Sequence, residues 1–249
     1  MIDLVTGYAY GYSAEQVRPF LKSLRLTGYE GRILLFANGD AAIEAKKWNV
    51  DLRPCPKPVY RICSDRFIRI AEALKDIPCE GILLSDTRDV VFQKNPATFL
   101  PSSGLNVYEE DHNMRIGTCN YNSKWILTGY GREVLKKLEN AFISCAGVSC
   151  GDEKSMKIYL DRLCEEIRRI QPKSNLSLDQ AAHNFLIRVE LESKIWNNDN
   201  GEVYTVGYVK RNTVKIKGNK IINDNGEVPA VVHQWDRHNK LCNLIKCTL

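Results

Sequence analysis

Three short apolar runs in the first third of the chain alternate with segments of helical periodicity. The runs cover residues 2–6, 32–36 and 81–85, and each has the length of a buried strand. Between them, a capping box at residues 13–16 opens one amphipathic helix, and residues 64–74 form another. A β-α-β-α-β order with wholly apolar strands predicts a parallel sheet with helices on both faces.

The second half of the chain is less regular but still combines helices with strands. Apolar spacing predicts helices over residues 132–142, 152–170 and 177–189, and a strand over 105–109. The last helix is predicted to open with a capping box between Ser177 and Gln180. Residues 203–232 alternate, and the Asn-Asp-Asn-Gly run at 223–226 predicts a small C-terminal β-hairpin region.

Composition, charge and cysteine spacing exclude several classes of protein. The 35 basic and 30 acidic residues give a net charge of +5 without a dense Lys/Arg run, so nucleic acid is not predicted as a partner. No apolar run of about eighteen residues predicts a transmembrane segment, and the N-terminus lacks the pattern of a secretory signal. The nine cysteines include no C-x-x-C pair, which predicts reduced core residues in a cytoplasmic protein.

The clearest indication of a functional site is a pair of carboxylates directly after the third apolar run. Asp86 and Asp89 follow the predicted strand at 81–85, and another apolar run begins at residue 90. Ligands of open α/β sheets bind beyond the carboxyl ends of the strands, and two carboxylates there suit Mg²⁺ or Mn²⁺. Alternatively, both are turn residues, with Arg88 paired to one of them.

The segment from Asp86 to Pro96 resembles the DxD region of glycosyltransferases with the GT-A fold, particularly microbial and viral members that read D-x-R-D-V-x-F-Q-x-x-P. The resemblance implies that Asp89 is a metal ligand. Asp86 is displaced by one residue from the usual position, so its role as ligand, ribose contact or structural acid stays open. The resemblance also places Asp86 and Arg88 among the residues that contact the donor.

Two further segments resemble the same family in the expected order. Residues 144–151 resemble N-[SA]-G-[VI]-x-x-G, with Cys145 in place of the usual Asn, and Gly147 would let the backbone approach the donor closely. Residues 178–184 resemble a D-Q-x-x-x-N helix start, which implies that Gln180 lies near the donor and Asp179 is the general base of an inverting transfer. From the residues alone, Asp179 could equally complement the helix dipole.

A fourth segment, residues 230–237, resembles the C-terminal motif V-x-H-Q-[YW]-D-R. The resemblance implies that His233 completes the metal site, and a neutral imidazole can bind Mn²⁺. A histidine at the end of a strand can instead be held by ordinary hydrogen bonds.

The donor nucleotide is predicted to bind where the first strand ends. Thr6, Gly7 and Tyr8 should contact it there, with Tyr8 stacked on the base. Arg66 is preferred over Arg61 and Arg69 as the ligand of the diphosphate. Surface tyrosines and a solvated helix face are the alternatives.

Together, the four motifs imply a Rossmann-like GT-A fold in which residues 1–249 form a single glycosyltransferase domain. The implied activity is metal-dependent transfer of a hexose-type sugar from a nucleotide-diphosphate sugar donor to a glycan or related acceptor. A catalytically degenerate protein that only binds glycan or nucleotide is the alternative. A sugar-nucleotide pyrophosphorylase is disfavoured, because residues 6–11 lack the G-x-G-T-R loop of that family.

Overall fold

A seven-stranded sheet forms the centre of the computed structural model, which describes residues 1–199, 201–210 and 213–249. The strands of the protein are β1 (Leu4–Ala9), β2 (Arg32–Ala37), β3 (Asp51–Pro54), β4 (Gly81–Ser85), β5 (Val90–Phe92), β6 (Leu105–Glu109), β7 (Ser144–Asp152), β8 (Lys194–Trp196), β9 (Val203–Thr205), β10 (Lys215–Lys217), β11 (Lys220–Ile222) and β12 (Val231–His233). The order across the large sheet is β3-β2-β1-β4-β7-β6-β8. Adjacent strands are parallel except at β7, which runs opposite to β4 and β6.

Helices connect the strands and cover the sheet. The α-helices are α1 (Ala14–Leu26), α2 (Gly39–Ala45), α3 (Ile62–Leu74), α4 (Pro96–Phe99), α5 (Asn120–Tyr130), α6 (Arg132–Leu138), α7 (Glu153–Ile170), α8 (Asp179–Phe185) and α9 (Asn239–Thr248). A π-helical segment, Leu186–Glu190, continues α8. Short 3₁₀ turns lie at Lys46–Trp48, Gln171–Lys173 and Trp235–Arg237.

Both faces of the large sheet are covered, which explains why the central strands β2 and β4 are almost continuously apolar. Leu34 packs with α3 and α7 on one face, whereas its neighbours Ile33 and Leu35 pack with α1 and α2 on the other. Successive side chains of a strand point to opposite faces, so a strand covered on both sides needs an apolar residue at every position. The predicted α/β class with a central, mostly parallel sheet is therefore confirmed.

A smaller sheet, in the order β5-β12-β9, lies beside the large one and packs against α1 and α9. The β10–β11 hairpin packs in the apolar cluster between this sheet and α9, through Ile221. Its two-residue turn is Gly218-Asn219, with Gly218 in the left-handed region (φ 58°), a conformation that glycine adopts without strain. The hairpin was predicted to turn at 223–226, and this was wrong. Those residues form a separate turn, in which Gly226 N–H donates to the Asn223 carbonyl.

Two other expectations, both about helices, differ from the structure. The helix predicted over residues 132–142 ends at Leu138, and α5 precedes it without having been predicted. The predicted capping box at Ser177 is absent, because α8 begins at Asp179 and the Gln180 side chain bonds to β7 instead. In the described part of the chain, no helix is both long and apolar enough to cross a membrane.

A buried histidine on α8 makes the stability of the fold depend on pH. The two ring nitrogens of His183 lie 2.9 Å from Ser144 Oγ and 2.8 Å from Tyr159 Oη, and the side chain is fully buried. Burial lowers the pKa of His183 from 6.5 to about 3. Between these two values the unfolded chain takes up a proton that the native protein does not, so native stability falls as the pH falls below 6.5.

We expect this histidine alone to remove about 2 kcal/mol of unfolding free energy between pH 7 and pH 5. Urea unfolding at both pH values measures the loss. His183→Gln keeps a donor and an acceptor for the two hydroxyls but cannot titrate, so it should lose about 2 kcal/mol less than the wild type over the same interval. Equal losses in the two proteins would contradict the assignment.

Candidate metal centre and its cleft

A cleft with a volume of about 460 Å³ opens at the carboxyl ends of β1 and β4. Asp86 follows the last residue of β4 directly, and Asp89 immediately precedes β5. Both carboxylates line the cleft. The parallel arrangement of β1 and β4 places both strand ends at one sheet edge, which is where ligands of α/β sheets bind.

Strand pairing in the small sheet brings His233 to the two carboxylates. β12 runs antiparallel to β5, and His233 lies directly opposite Val90, the residue after Asp89. His233 Nε2 is 3.3 Å from Asp86 Oδ2 and 3.7 Å from Asp89 Oδ1. One ligand atom from each of the three residues lies within 4.8 Å of the others, so the group could hold a metal ion.

Two observations fit the presence of an ion in this space. His233 is fully buried, yet its Nε2 makes no hydrogen bond among the described residues, although buried polar atoms are normally paired. Gly147 keeps the adjacent space open, because a Cβ atom there would lie 2.3 Å from His233 Cε1 and 2.6 Å from Asp86 Oδ2. A mixed set of carboxylate oxygens and one imidazole suits several divalent metals, so the residues do not identify the ion.

The other ring nitrogen of His233 faces a thiol. Nδ1 lies 3.7 Å from the Sγ atom of Cys145, which is itself buried. Burial lowers the pKa of His233, but Cys145 and Asp89 oppose this effect and the net shift is upward. A metal ligand must present neutral Nε2, and a hydrogen bond at Nδ1 helps to fix the ring orientation for that role.

Arg66 connects three parts of the cleft. Its guanidinium forms a close ion pair with Asp86, and its Nη2 lies 3.7 Å from Asp179 Oδ2. The same nitrogen donates to the carbonyl of Ala146 at 3.3 Å. Arg66 therefore balances two carboxylates within the cleft, and a guanidinium is a group that can also bind an anion through paired hydrogen bonds.

An irregularity in β7 shapes the wall that contains Cys145 and Gly147. The register between β6 and β7 shifts between Val107 and Glu109, as at a β-bulge. Side chains of α8 satisfy the backbone there. Gln180 accepts from Ala146 N–H at 2.9 Å, and both Gln180 and Asn184 donate to the Ser144 carbonyl, at 2.7 and 2.8 Å.

The predicted site residues are only partly brought together. Those that line the cleft are Tyr8, Arg66, Asp86, Arg88, Asp89, Gly147, Asp179 and Gln180, and His233 lies immediately behind them. Arg88 is paired with Asp236 at 3.1 Å. Tyr8 Oη is 3.4 Å from Asp65 Oδ2, and burial raises the pKa of Tyr8.

Two residues predicted at the nucleotide lie elsewhere. Thr6 is fully buried within β1, and Gly7 packs so closely that an added Cβ would be 2.3 Å from Thr87 Cγ2. Neither residue lines the cleft. The two arginines set aside in favour of Arg66 also have local partners, since Arg61 donates to the Asn175 carbonyl and Arg69 pairs with Asp65.

Several lining residues were not predicted from the sequence. They are Tyr12, Ile62, Cys63, Glu110, Asn122, Trp125, Ser177, Tyr208, Gln234 and Arg237. Gln234 and Arg237 belong to the H-Q-W-D-R segment and could have been found there. Glu110, Asn122, Trp125 and Tyr208 come from separate loops and helices and carry no local pattern that indicates a cleft.

No protein-family model matches this chain, and no curated protein matches it.

A methyl group at residue 147 should close the metal site without unfolding the protein. We expect Gly147→Ala to weaken Mn²⁺ binding by at least about tenfold, since the metal centre depends on the space next to His233 and Asp86. Isothermal titration with Mn²⁺ measures the change. Gly129→Ala is the control, because the nearest atom to its Cβ would be Ile170 Cδ1, at 3.1 Å and at the flexible end of that side chain, and it should bind Mn²⁺ like the wild type. Equal affinities in the two variants, or no binding by the wild type, would exclude the site.

Proposed function

We propose that this protein is a glycosyltransferase that depends on Mn²⁺ or Mg²⁺ and transfers a sugar from a nucleotide-diphosphate sugar to a glycan or related acceptor. The observation that carries the proposal is the convergence of Asp86, Asp89 and His233 at the end of a central strand, in a cleft that also contains Arg66. Such a combination suits a diphosphate, because a divalent cation and a guanidinium can each bind phosphate oxygens.

Each polar group has a distinct part in the proposed transfer. Asp89 and His233 would hold the ion, and Asp86 is close enough to join them. When bound, the ion would stabilise the charge that develops on the nucleoside diphosphate as it leaves. Arg66 would add a hydrogen-bonding positive charge on the same leaving group. Tyr12 lines the cleft and offers an aromatic face near the end of β1.

Asp179 is our candidate for the general base. It is buried, it lines the cleft at the N-terminal end of α8, and its nearest cation is Arg66. An acceptor hydroxyl must lose its proton during an inverting transfer, and a carboxylate within reach of that hydroxyl can accept it.

The non-catalytic alternative is a protein that binds a glycan or a nucleotide without transfer. The close Arg66–Asp86 ion pair favours it, because both side chains already have a partner in the absence of a donor. A donor would have to separate this pair, and a protein that retains the pair would bind ligands without assembling the transfer site.

A screen of nucleotide sugars with and without Mn²⁺ tests the proposed class. At a ligand concentration about 100 times Kd, we expect the melting temperature to rise by about 5 °C or more, and only when Mn²⁺ is present. The responding donor should also release nucleoside diphosphate. Asp89→Asn should abolish both effects, whereas Asp76→Asn, which alters an exposed aspartate that does not line the cleft, should retain them. Binding without release would support the non-catalytic alternative.

Asp179→Asn separates catalysis from helix stabilisation. If Asp179 is the base, turnover should fall about 10²–10⁴-fold with little change in donor affinity. If it only complements the helix dipole, the unfolding free energy should fall by about 0.3–1 kcal/mol and turnover should stay near normal. Turnover and melting temperature are measured on the same preparation. The exposed Asp161→Asn serves as the control and should change neither quantity.

A further inference from the structure

One wall of the cleft contains none of the residues discussed above as metal or donor ligands. We call it the Glu110 wall and define it as Glu110, Asn122, Trp125 and Tyr208, all of which line the cleft. Glu110 follows β6 directly, Asn122 and Trp125 belong to α5, and Tyr208 lies in the segment after β9. Three separate parts of the chain thus converge on this surface.

Glu110 is a buried carboxyl without a complete set of partners. It is 5% exposed, and its Oε2 has no hydrogen-bond partner among the described residues. Its backbone N–H donates to the Ile143 carbonyl at 2.8 Å, which fixes the residue beside β7. An unsatisfied buried carboxyl oxygen is unfavourable for the protein alone, so a ligand that supplies a hydroxyl donor would satisfy it.

The aromatic members provide the second, independent observation. Trp125 and Tyr208 both line the cleft, and the ring of Trp125 also lies beside that of Tyr121, with centroids 5.9 Å apart. Trp125 and Tyr121 are four residues apart on α5 and therefore share a helical face. Flat amphipathic rings beside hydrogen-bonding groups suit a ligand with both apolar faces and polar edges.

The four residues of the wall offer no positive charge to a phosphate, and an anionic group would be repelled by Glu110 if this carboxyl is ionised. Arg66 lies beside Asp86 and Asp179 instead. Arg237 borders the wall, with its Cζ atom 5.9 Å from the centroid of the Tyr208 ring, and offsets part of the charge of Glu110. A neutral, polyhydroxylated ring is the ligand whose edges match the carboxyl and amide groups and whose face matches the aromatic rings.

The Glu110 wall adjoins the metal centre through Cys145. This residue lines the same cleft as Glu110 and lies 3.7 Å from His233 Nδ1. Its thiol also opposes the burial-induced rise in the pKa of Glu110. A sugar ring on the wall would therefore lie beside the place where the donor is activated.

We propose that the Glu110 wall is the acceptor subsite and binds a neutral saccharide, with Glu110 hydrogen-bonded to its hydroxyls and Trp125 stacked on its ring. The assignment rests on the proposed glycosyltransferase function, because only that function calls for a second sugar in the cleft. Binding of the saccharide can nevertheless be measured without any transfer.

The test uses methyl glycosides of glucose, galactose, mannose, N-acetylglucosamine and fucose, with Mn²⁺ and with or without UDP or GDP. Saturation-transfer NMR detects binding and gives Kd. We expect at least one glycoside to bind the wild type, Glu110→Gln to raise its Kd about tenfold, and Trp125→Phe to raise it severalfold. Mn²⁺ and nucleotide affinities should stay within about twofold of the wild type, since those ligands contact other residues.

Matched controls separate the subsite from general damage to the fold. Glu109→Gln alters the neighbouring carboxylate, which pairs with Arg188 at 3.5 Å outside the cleft. Trp48→Phe alters a partly buried tryptophan in another cluster. Both controls should bind the glycoside like the wild type, even if their melting temperatures fall.

Three results would overturn the proposal: no glycoside binds the wild type, Glu110→Gln binds as well as the wild type, or Glu110→Gln weakens a nucleotide sugar but not the free glycoside. The last result would assign the wall to the donor sugar. Glycoside binding that depends on Glu110, in a protein that binds no nucleotide, would retain the subsite and reject the glycosyltransferase function.

Discussion

The antiparallel pairing of β5 with β12 is the interaction on which the candidate metal centre depends. It holds His233 opposite Val90, the residue after Asp89. His233 and Asp89 are distant in sequence, and the pairing brings them to the same cleft. The pairing continues past the strands, because Gln234 N–H donates to the Asp89 carbonyl at 2.7 Å. Gln234 adopts a left-handed conformation (φ 62°, ψ 31°), which is unfavourable by about 1–2 kcal/mol for a residue with a side chain. The left-handed residue ends β12 directly after His233, and Gln234 itself lines the cleft.

The second constraint is the irregular end of β7, where the backbone would lack partners without α8. Gln180 and Asn184 are one helical turn apart and bond to the same strand through Ala146 N–H and the Ser144 carbonyl. Amide side chains suit this task because each can donate and accept at once. Two of the three residues in the D-Q-x-x-x-N pattern, Gln180 and Asn184, are thus explained by their hydrogen bonds to β7. Asp179 bonds to neither backbone group, and this difference leaves its carboxylate available to the cleft.

Much of the α/β core could be predicted because each strand or helix is indicated by the apolar residues of its own segment. Strand β4 matches the apolar run at 81–85, and β6 matches the run at 105–109. Helix α5 could not be predicted, since only Asn122 and Ile126 are buried and its apolar face is weak. At the site, Asp86, Asp89 and His233 were found through motifs in separate segments. Glu110 was not found, because it follows Glu109 in a pair of identical residues, and only the sheet determines which of the two enters the cleft.

The charges of the cleft suggest why an ion and an anionic donor would need each other. Among the described residues, the lining includes four carboxylates, Asp86, Asp89, Glu110 and Asp179, and three guanidinium groups, Arg66, Arg88 and Arg237. Two of the guanidinium groups are already engaged, Arg66 with Asp86 and Arg88 with Asp236. The cleft alone therefore offers little net attraction to a diphosphate, and a bound divalent cation would reverse this balance. Because such coupling is reciprocal, a diphosphate would strengthen cation binding by the same factor by which the cation strengthens diphosphate binding. Carboxylates that make the cleft unfavourable for an anion alone would then confine donor binding to the metal-loaded protein.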